Sequence, residues 1–415
     1  MSKISVFVLL FCVVLPAQEI PAPTDTSGHI LSIKKAWVIG GAGNWDYLTA
    51  DPSAQQLFIA HGVQIQVVDL ATGIIAGQVT GLREAHSVAL DDSGEFGYAS
   101  DGPASEVKVF DRRTFKVVAA IATGPSPSIL AFEPQNKLLF VVCNFPVAAA
   151  PAQPSAGPRQ TQGRTPSGRP TPPRATPPTQ TDGETKSSIT VIDVEKRLRI
   201  GEILMPGKLG YAQTDGRGQV FFSVVNRNQI ASFDAQAVAE QLAKQSSEAD
   251  ALDWSHETRL PGSAAGRLRL STVGSECHDP GGLAVDTNHS RLFVACSNMK
   301  MVVMSTVSGA ALTSLPTGPE TGAIAYDPNQ GQVYAANGGA NGSLTVIRQD
   351  STDSYAVVQN LPTRKRARTL AVNPATGEVY LVTDLMGVKL DHPGNIGAMQ
   401  TAPVAGSFQV LVIGN

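Results

Sequence analysis

One short unit recurs seven times along this chain, and it restricts the fold more than any other feature of the sequence. Each copy has an apolar strand, a turn, and a second apolar strand that carries an aromatic residue. Neighbouring turns are ~40 residues apart, except where the chain carries insertions. The copies begin at Leu48, Val88, Leu130, Tyr211, Leu283, Ile324 and Leu370, and their turn positions are Asp51, Asp91, Glu133, Thr214, Asp286, Asp327 and Asn373.

A third apolar strand follows the first two in several units. Examples begin at Gln64, Glu106, Ser188 and Gln229, and each of these strands ends in an aspartate that predicts a turn into a fourth strand. Seven units of four short antiparallel strands predict an all-β fold, a seven-bladed β-propeller over residues 29–415. A stacked solenoid would need helices or capping repeats, which this sequence lacks.

The last unit has only three evident strands, because the chain stops after the third, Ser407 to Asn415. An apolar strand at residues 31–40 precedes the first unit and has no partner of its own. Pairing these two segments removes two open sheet edges at once. We therefore expect the N-terminal strand to close the ring.

Several short motifs of this sequence resemble the YVTN-type repeat family of β-propellers, especially its secreted YncE-like members. They include GNWDYL from Gly43, CHDPGGLAVD from Cys277 and RTLAVNPATGEVYL from Arg368. The resemblance covers about residues 29–415. It implies the seven-bladed fold and export, but it brings no settled reaction with it.

Residues 1–17 have the pattern of a secretory signal peptide. A single charge, Lys3, precedes an apolar stretch from Ile4 to Leu15, and Pro16 and Ala17 follow it. The pattern predicts cleavage near Ala17 and a periplasmic or extracellular protein, while an apolar N-terminal strand is the alternative. No other segment is apolar over 18 residues, so no membrane span is expected.

Two segments depart from the repeat. Residues 146–186 hold 10 of the chain's 28 prolines and one large aliphatic side chain, Val147, which predicts a disordered insert inside unit three. Residues 235–249 are rich in Ala, Gln and Glu, with Val238 and Leu242 four apart, which predicts a short helix after the third strand of unit four.

Polar side chains stand just before the innermost strands, at the rim where a propeller channel opens. These loops gather around one mouth, so their carboxylate, imidazole and guanidinium groups are expected to form a binding site for a polar or anionic ligand. The alternative is that they are polar only because they face water. The candidates are Trp45, as an apolar wall, and Asp46, His86, Asp279, Glu320, Arg366 and Arg368.

Asp46, His86 and Arg368 form the central group among these candidates. They occupy one equivalent position in units one, two and seven, which are neighbours only if the ring closes. Together they offer an acceptor, a titratable group and a bidentate donor. If His86 is lightly perturbed, binding should change between about pH 5.5 and 7.5, although its charge could equally be balanced by Asp46 as structure alone.

The cysteines predict one disulfide. Cys277 precedes the first strand of unit five and Cys296 ends the second, so antiparallel pairing brings them together, with two free thiols as the alternative. Cys143 is expected to be buried and unpaired, because Gly124 stands at the matching partner position. No metal or cofactor motif is present, and neither is expected.

Two classes of function remain open. The first is a monomeric binding scaffold that contacts an envelope protein or a small polar ligand through the mouth. The second is an enzyme of the lactonase or lyase kind with a polar acid-base site or a metal site at the same mouth, which fold analogy alone supports. Single-stranded nucleic-acid binding by Arg364, Lys365, Arg366 and Arg368 is the weakest alternative, because the net charge is -3 and only 6% of residues are aromatic.

Overall fold

A computed structural model describes residues 30–41, 43–144, 187–244, 251–254, 268–390 and 399–415. Within these ranges the strands form seven blades around a channel, so the predicted all-β, seven-bladed propeller is confirmed. The signal peptide predicted at residues 1–17 and the insert predicted at residues 146–186 lie outside the described residues. So do residues 245–249 of the predicted helical insert.

The blades follow one another along the chain, and each begins with its innermost strand. Strand β1 (Ser32–Val38) precedes the first blade. Blade 1 contains β2 (Trp45–Asp51), β3 (Gln56–His61), β4 (Gln64–Asp69) and β5 (Ile75–Val79). Blade 2 contains β6 (Ala85–Leu90), β7 (Phe96–Asp101), β8 (Glu106–Asp111) and β9 (Val117–Ala122).

Blades 3 and 4 are the two blades whose sequences contain the insertions. Blade 3 contains β10 (Pro127–Glu133), β11 (Leu138–Asn144), β12 (Ser187–Asp193) and β13 (Leu198–Met205). Blade 4 contains β14 (Leu209–Thr214), β15 (Gln219–Val224), a 3₁₀ turn (Val225–Arg227), β16 (Gln229–Asp234), helix α1 (Ala235–Ala243) and, after a short strand β17 (Ala251–Asp253), β18 (Arg269–Thr272).

The last blades complete the ring. Blade 5 contains β19 (Pro280–Asp286), β20 (Arg291–Cys296), β21 (Lys300–Ser305) and β22 (Ala311–Pro316). Blade 6 contains β23 (Thr321–Asp327), β24 (Gln332–Asn337), β25 (Ser343–Ser351) and β26 (Ser354–Pro362). Blade 7 contains β27 (Leu370–Asn373), β28 (Glu378–Thr383), a projecting hairpin of β29 (Met386–Leu390) and β30 (Met399–Pro403), and β31 (Gln409–Gly414).

Strand β1 supplies the missing fourth strand of blade 7. It pairs antiparallel with β31, for example Trp37 with Val410, so the predicted closure by the N-terminal strand is confirmed. The Trp37 ring also packs where Gly73 of blade 1 has no side chain, since a Cβ there would lie 2.4 Å from the ring. One strand therefore completes blade 7 and joins it to blade 1.

The hydrophobic core lies between the faces of adjacent blades. Phe58 of blade 1 meets Phe110 of blade 2 with ring centroids 5.8 Å apart, and Phe140 of blade 3 meets Phe233 of blade 4 at 5.6 Å. Each such fully buried ring contributes roughly 1.5–3 kcal/mol. The alternating apolar residues of the repeat thus bind the blades to one another and leave the channel rim to polar side chains.

The insertion in blade 4 packs back onto blade 3. Asp234 caps the N-terminus of helix α1, because its side chain accepts a hydrogen bond from the Ala237 amide at 2.8 Å. Leu242 fits against Gly201, and β17 pairs in parallel with β13 as a fifth strand of blade 3. The outer edge of blade 3 is therefore covered where β17 runs beside it.

The turn residues of the repeat lie at the end of the channel opposite the rim, where their side chains fix the turn by hydrogen bonds. Asp51 Oδ1, for example, accepts hydrogen bonds from the amides of Ser53 and Ala54. In blade 4 this position is Asp215, one residue after the expected Thr214, because Asp215 Oδ1 accepts from the Arg217 and Gln219 amides. The threonine hydroxyl instead donates to the Phe132 carbonyl at 3.0 Å.

Candidate functional site

The innermost strands of blades 1 to 6 share one irregularity, a bulge directly after the first paired residue. In blade 1 the ladder runs from Trp45 to Leu48 with a register shift between them, and in blade 2 it shifts between Ala85 and Val88. A bulge turns its residues out of the ladder and re-aims their side chains. The first bulge residues are Asp46, His86, Ser128, Gly210, Gly281 and Gly322, and Arg368 is the equivalent residue of blade 7.

A cavity of about 680 Å³ opens at this rim, over blades 6, 7, 1 and 2. It is therefore set to one side of the ring, not centred on the channel. Six of the seven predicted site residues line it: Trp45, Asp46, His86, Glu320, Arg366 and Arg368. Its other lining residues are Gly43, Asn44, Gly62, Val63, Arg83, Glu84 and Ala85.

Asp46 and His86 both line the cavity and form a hydrogen-bonded pair. Asp46 Oδ2 lies 3.2 Å from His86 Nδ1, and the two side chains are 33% and 27% exposed. This hydrogen bond raises the pKa of His86 above its usual 6.5, against the opposing effect of partial burial. The pair is therefore neutral overall when His86 is protonated and carries one negative charge when it is not.

Arg366 and Trp45 form a rigid wall beside the pair. The guanidinium carbon of Arg366 lies 4.3 Å from the centre of the Trp45 ring, and its Nη1 donates to the buried Asp384 carboxylate at 2.8 Å. The Trp45 ring also packs on Phe408, with centroids 5.2 Å apart. Most of the Arg366 charge is thus balanced within the protein.

Arg368 differs from Arg366 because its guanidinium makes no hydrogen bond or ion pair with any residue that the structure describes. Its backbone is fixed instead, since its carbonyl accepts a 2.8 Å hydrogen bond from the Ala323 amide of blade 6. Gly322 permits this approach, because a Cβ there would lie 2.4 Å from the Arg368 oxygen. The side chain of Arg368 is therefore an exposed cation on an anchored backbone.

Two tyrosines from opposite sides of the ring contact each other across the channel. Tyr47 is the second bulge residue of blade 1 and Tyr211 that of blade 4, and their rings meet edge to face with centroids 5.2 Å apart. Burial raises the pKa of Tyr211 to about 12 and that of Tyr47 well above its usual 10.0. Both phenols therefore keep their protons at neutral pH.

One predicted site residue lies outside the cavity. Asp279 stands before the innermost strand of blade 5, across the ring from blades 1 and 2. Its carboxylate accepts a 3.1 Å hydrogen bond from the Ser297 hydroxyl, and its amide donates to Asn228 at 2.8 Å. The structure thus places Asp279 in a local loop network away from the other candidates.

Sequence reasoning omitted Arg83, Val63 and both channel tyrosines. Arg83 precedes the innermost strand of blade 2 by two residues, a signal that the template could have supplied. Val63 lies in the tight turn between β3 and β4 and is 60% exposed, as an isolated apolar residue among polar neighbours. Tyr47 and Tyr211 come into contact only because the ring is closed, and no local sequence pattern predicts that contact.

The cysteines lie as the repeat predicts. The sulfurs of Cys277 and Cys296 are at bonding distance, with Cα atoms 5.2 Å apart, and both residues are buried. Cys143 is buried and unpaired, and burial raises the pKa of its thiol to about 11. The disulfide joins the loop before β19 to the end of β20. The buried Cys143 thiol of blade 3 is unreactive, because its raised pKa keeps it protonated.

Replacing Cys277 and Cys296 together by serine should lower the free energy of unfolding by about 3 kcal/mol, because the bridge restrains the unfolded chain. Denaturant titration with and without reductant measures this loss. The reductant should destabilise the parent protein and leave the double variant unchanged. Two alkylatable thiols at these positions in protein prepared without reductant would contradict the bridge.

Across the described residues, no three His, Cys, Asp or Glu side chains lie close enough together to bind a metal ion. Among the helices that the structure describes, none has the length and apolar character needed to cross a membrane.

No protein-family model matches this chain, and no curated protein matches it in sequence. Solved structures do resemble it. A chain of the mitotic checkpoint complex superposes with a TM-score of 0.60 at 12% identity, covering 91% of this chain and 96% of that one. The U3-55K structure gives 0.61 at 8% identity, covering 92% and 98%.

The WD40 repeats of RRP9 give a TM-score of 0.60 at 9% identity, and the match covers 95% of this chain and 100% of that chain. Identities this low carry no information about ligands or reactions. The three structures are nevertheless matched over almost their whole length. In its fold, this chain is a β-propeller similar to WD40-repeat propellers.

Proposed function

We propose that this chain is an exported, YVTN-type propeller that acts as a binding scaffold. It recognises a polar or anionic group, presented by an envelope protein or by a small molecule, at the cavity over blades 6, 7, 1 and 2. The observation that carries the proposal is Arg368, a cation with no partner among the described residues, beside the hydrogen-bonded Asp46 and His86.

The proposal is tested by capture from a cell-envelope extract. The chain beginning at residue 18 is immobilised, and a His86→Ala, Arg368→Ala variant is compared with it. The matched control is Lys208→Ala, His278→Ala, which removes the same residue classes from the rim of blades 4 and 5, outside the cavity. Capture should fall by about tenfold or more for the first variant only, since charge-assisted hydrogen bonds are lost.

Undiminished capture by a folded His86→Ala, Arg368→Ala variant would contradict the proposal. Equal loss in the control would also contradict it, because the effect would then follow net charge and not the cavity. Circular dichroism and a thermal melt of each variant verify that the propeller is intact.

Binding should weaken as the pH rises. The hydrogen bond to Asp46 stabilises the protonated form of His86 and raises its pKa above 6.5. The pair is therefore neutral below pH 6.5 and becomes anionic as the pH rises through the raised pKa. An anionic ligand should therefore bind best below pH 6.5 and lose affinity above it. Titration of captured material across pH 5.5 to 8.5 measures this, and His86→Gln should abolish the dependence.

The second candidate function is catalytic. The Asp46 and His86 pair has the geometry of a carboxylate that orients an imidazole for proton transfer. A lactonase-like activity would then require His86, and screening small lactones with the parent and His86→Gln proteins tests it. Turnover that His86→Gln retains would exclude this pair as its acid or base.

A further inference from the structure

The cavity lining contains four charged side chains that form no hydrogen bond or ion pair within the part of the chain that the structure describes. Two are cations and two are anions: Arg83, Arg368, Glu84 and Glu320. All of them are exposed. Their bonding groups are therefore available to a ligand, and they are divided equally between positive and negative charge.

The other charges of the lining are balanced within the protein. Asp46 is hydrogen-bonded to His86, and the Arg366 guanidinium donates to the Asp384 carboxylate. When His86 is protonated, each of these pairs is neutral. A ligand with a net charge is then attracted by two of the free side chains and repelled by the other two, so the lining favours neither anions alone nor cations alone.

Hydrogen bonds fix the backbone beneath the two free charges of blade 2. The amides of Arg83 and Glu84 donate to the buried Asp101 carboxylate at 3.1 and 3.3 Å. The Glu84 carbonyl accepts a hydrogen bond from the Gly102 amide at 3.1 Å. The loop is therefore held in place, while both charged side chains line the cavity.

Glu320 and Arg368 form a corresponding pair where blade 6 meets blade 7. The Glu320 carbonyl accepts a hydrogen bond from the Gly338 amide at 3.1 Å. A Cβ at Gly338 would lie 2.8 Å from the Arg368 Cβ, so a glycine there lets the two charged residues stand side by side. Blade 1, with Trp45, lies between this pair and the pair of blade 2.

A ligand that satisfies both kinds of charge must carry both itself. A carboxylate matches the fork of a guanidinium, and an ammonium group forms a charge-assisted hydrogen bond with a carboxylate. We infer that the mouth binds a zwitterion, whose carboxylate pairs with Arg83 or Arg368 and whose ammonium group pairs with Glu84 or Glu320. This inference rests on the proposed function and specifies its ligand.

Two sources share this chemistry. In a free amino acid the ammonium and carboxylate groups are attached to one carbon atom, which fits a single pair of charged residues. In a short peptide the two terminal groups are farther apart, which fits a ligand that reaches across blade 1 from one pair to the other.

Compounds with a common skeleton test the inference. Phenylalanine carries both charges, whereas phenylpropanoate lacks the ammonium group and phenethylamine lacks the carboxylate. Glycyl-phenylalanine, its acetylated form and its C-terminal amide form a second series. Binding to the full chain is measured by calorimetry at about pH 6 and low ionic strength, because salt screens exposed charges. At least one zwitterion should bind about tenfold or more tightly than both of its singly charged analogues.

Two double variants identify the groups responsible. Glu84→Gln with Glu320→Gln should remove the preference for the zwitterion over the acid, and Arg83→Gln with Arg368→Gln should remove its preference over the amine. The matched control is Glu276→Gln with Asp279→Asn, which removes two carboxylates from the loop before β19, outside the cavity. It should change neither preference, and a thermal melt verifies that each variant is folded.

Tighter binding of phenylalanine than of the dipeptide indicates a free amino acid, and the reverse order indicates a peptide. Zwitterions that bind no more tightly than their singly charged analogues would overturn the inference. So would a preference that survives in both double variants. Capture from an envelope extract that depends on His86 and Arg368, while neither zwitterion is preferred, would overturn the inference and leave the proposed function standing with a different ligand.

Discussion

A chain that begins at residue 42 is expected to aggregate or to melt far below one that begins at residue 30. The shorter chain lacks β1, so β31 becomes an open edge of exposed amides and carbonyls, and blade 7 loses its contact with blade 1. Static light scattering and a thermal melt of the two chains provide the comparison. Equal melting temperatures would show that β1 does not close the ring.

Adding the missing strand in trans provides the control for this deletion. A synthetic peptide of residues 30–41 should bind the shorter chain and restore part of its thermal stability, because β31 offers a preformed edge for pairing. The same peptide with Trp37→Gly should restore less, since the ring that packs on Gly73 is absent. Failure of both peptides, with a soluble shorter chain, would contradict the pairing as the source of stability.

The second large effect is expected at Arg112. This side chain is 8% exposed and pairs with Asp51, which is 4% exposed, across the boundary of blades 1 and 2. It also donates to the Asp91 carbonyl at 3.2 Å. Arg112→Leu should lower the free energy of unfolding by about 3–5 kcal/mol, because it leaves the Asp51 carboxylate buried without its cation.

The residues at equivalent positions of other blades indicate which second substitution should compensate for Arg112→Leu. Leu70 and Val194 occupy the position of Arg112 in other blades, and Asn373 occupies the position of Asp51 in blade 7. The double variant Asp51→Asn, Arg112→Leu keeps the acceptor for the turn amides and removes the buried charge. Chemical denaturation should show that it recovers most of the loss, and a double variant as unstable as Arg112→Leu would contradict this.

The fold was predictable because its determinants are local and repeated. Turn residues such as Asp286 and Asp327 accept amides within two or three positions, so the sequence alone carries their geometry. The grouping of Asp46, His86 and Arg368 followed from the same template once the ring was closed. These predictions needed only the position of each residue in its unit.

Other features depend on contacts that the repeat does not encode. Arg112 looks like an ordinary turn residue in the sequence, and only the neighbouring blade shows that it neutralises Asp51. The meeting of Tyr47 with Tyr211 depends on which blades face one another across the channel. The parallel strand β17 follows an insertion with no counterpart in the other units.

The bulge at the start of the inner strands of blades 1 to 6 holds side chains that face the rim without taking part in the strand pairing. Asp46, His86, Ser128 and Gly281 occupy the same position in four blades, yet they differ in size and in charge. The ladder on either side is continuous in every case. These four residues can therefore change one at a time, in evolution or in the laboratory, and give the same ring a new specificity without a new fold. Gly322 is different, because a Cβ there would lie 2.4 Å from the Arg368 oxygen.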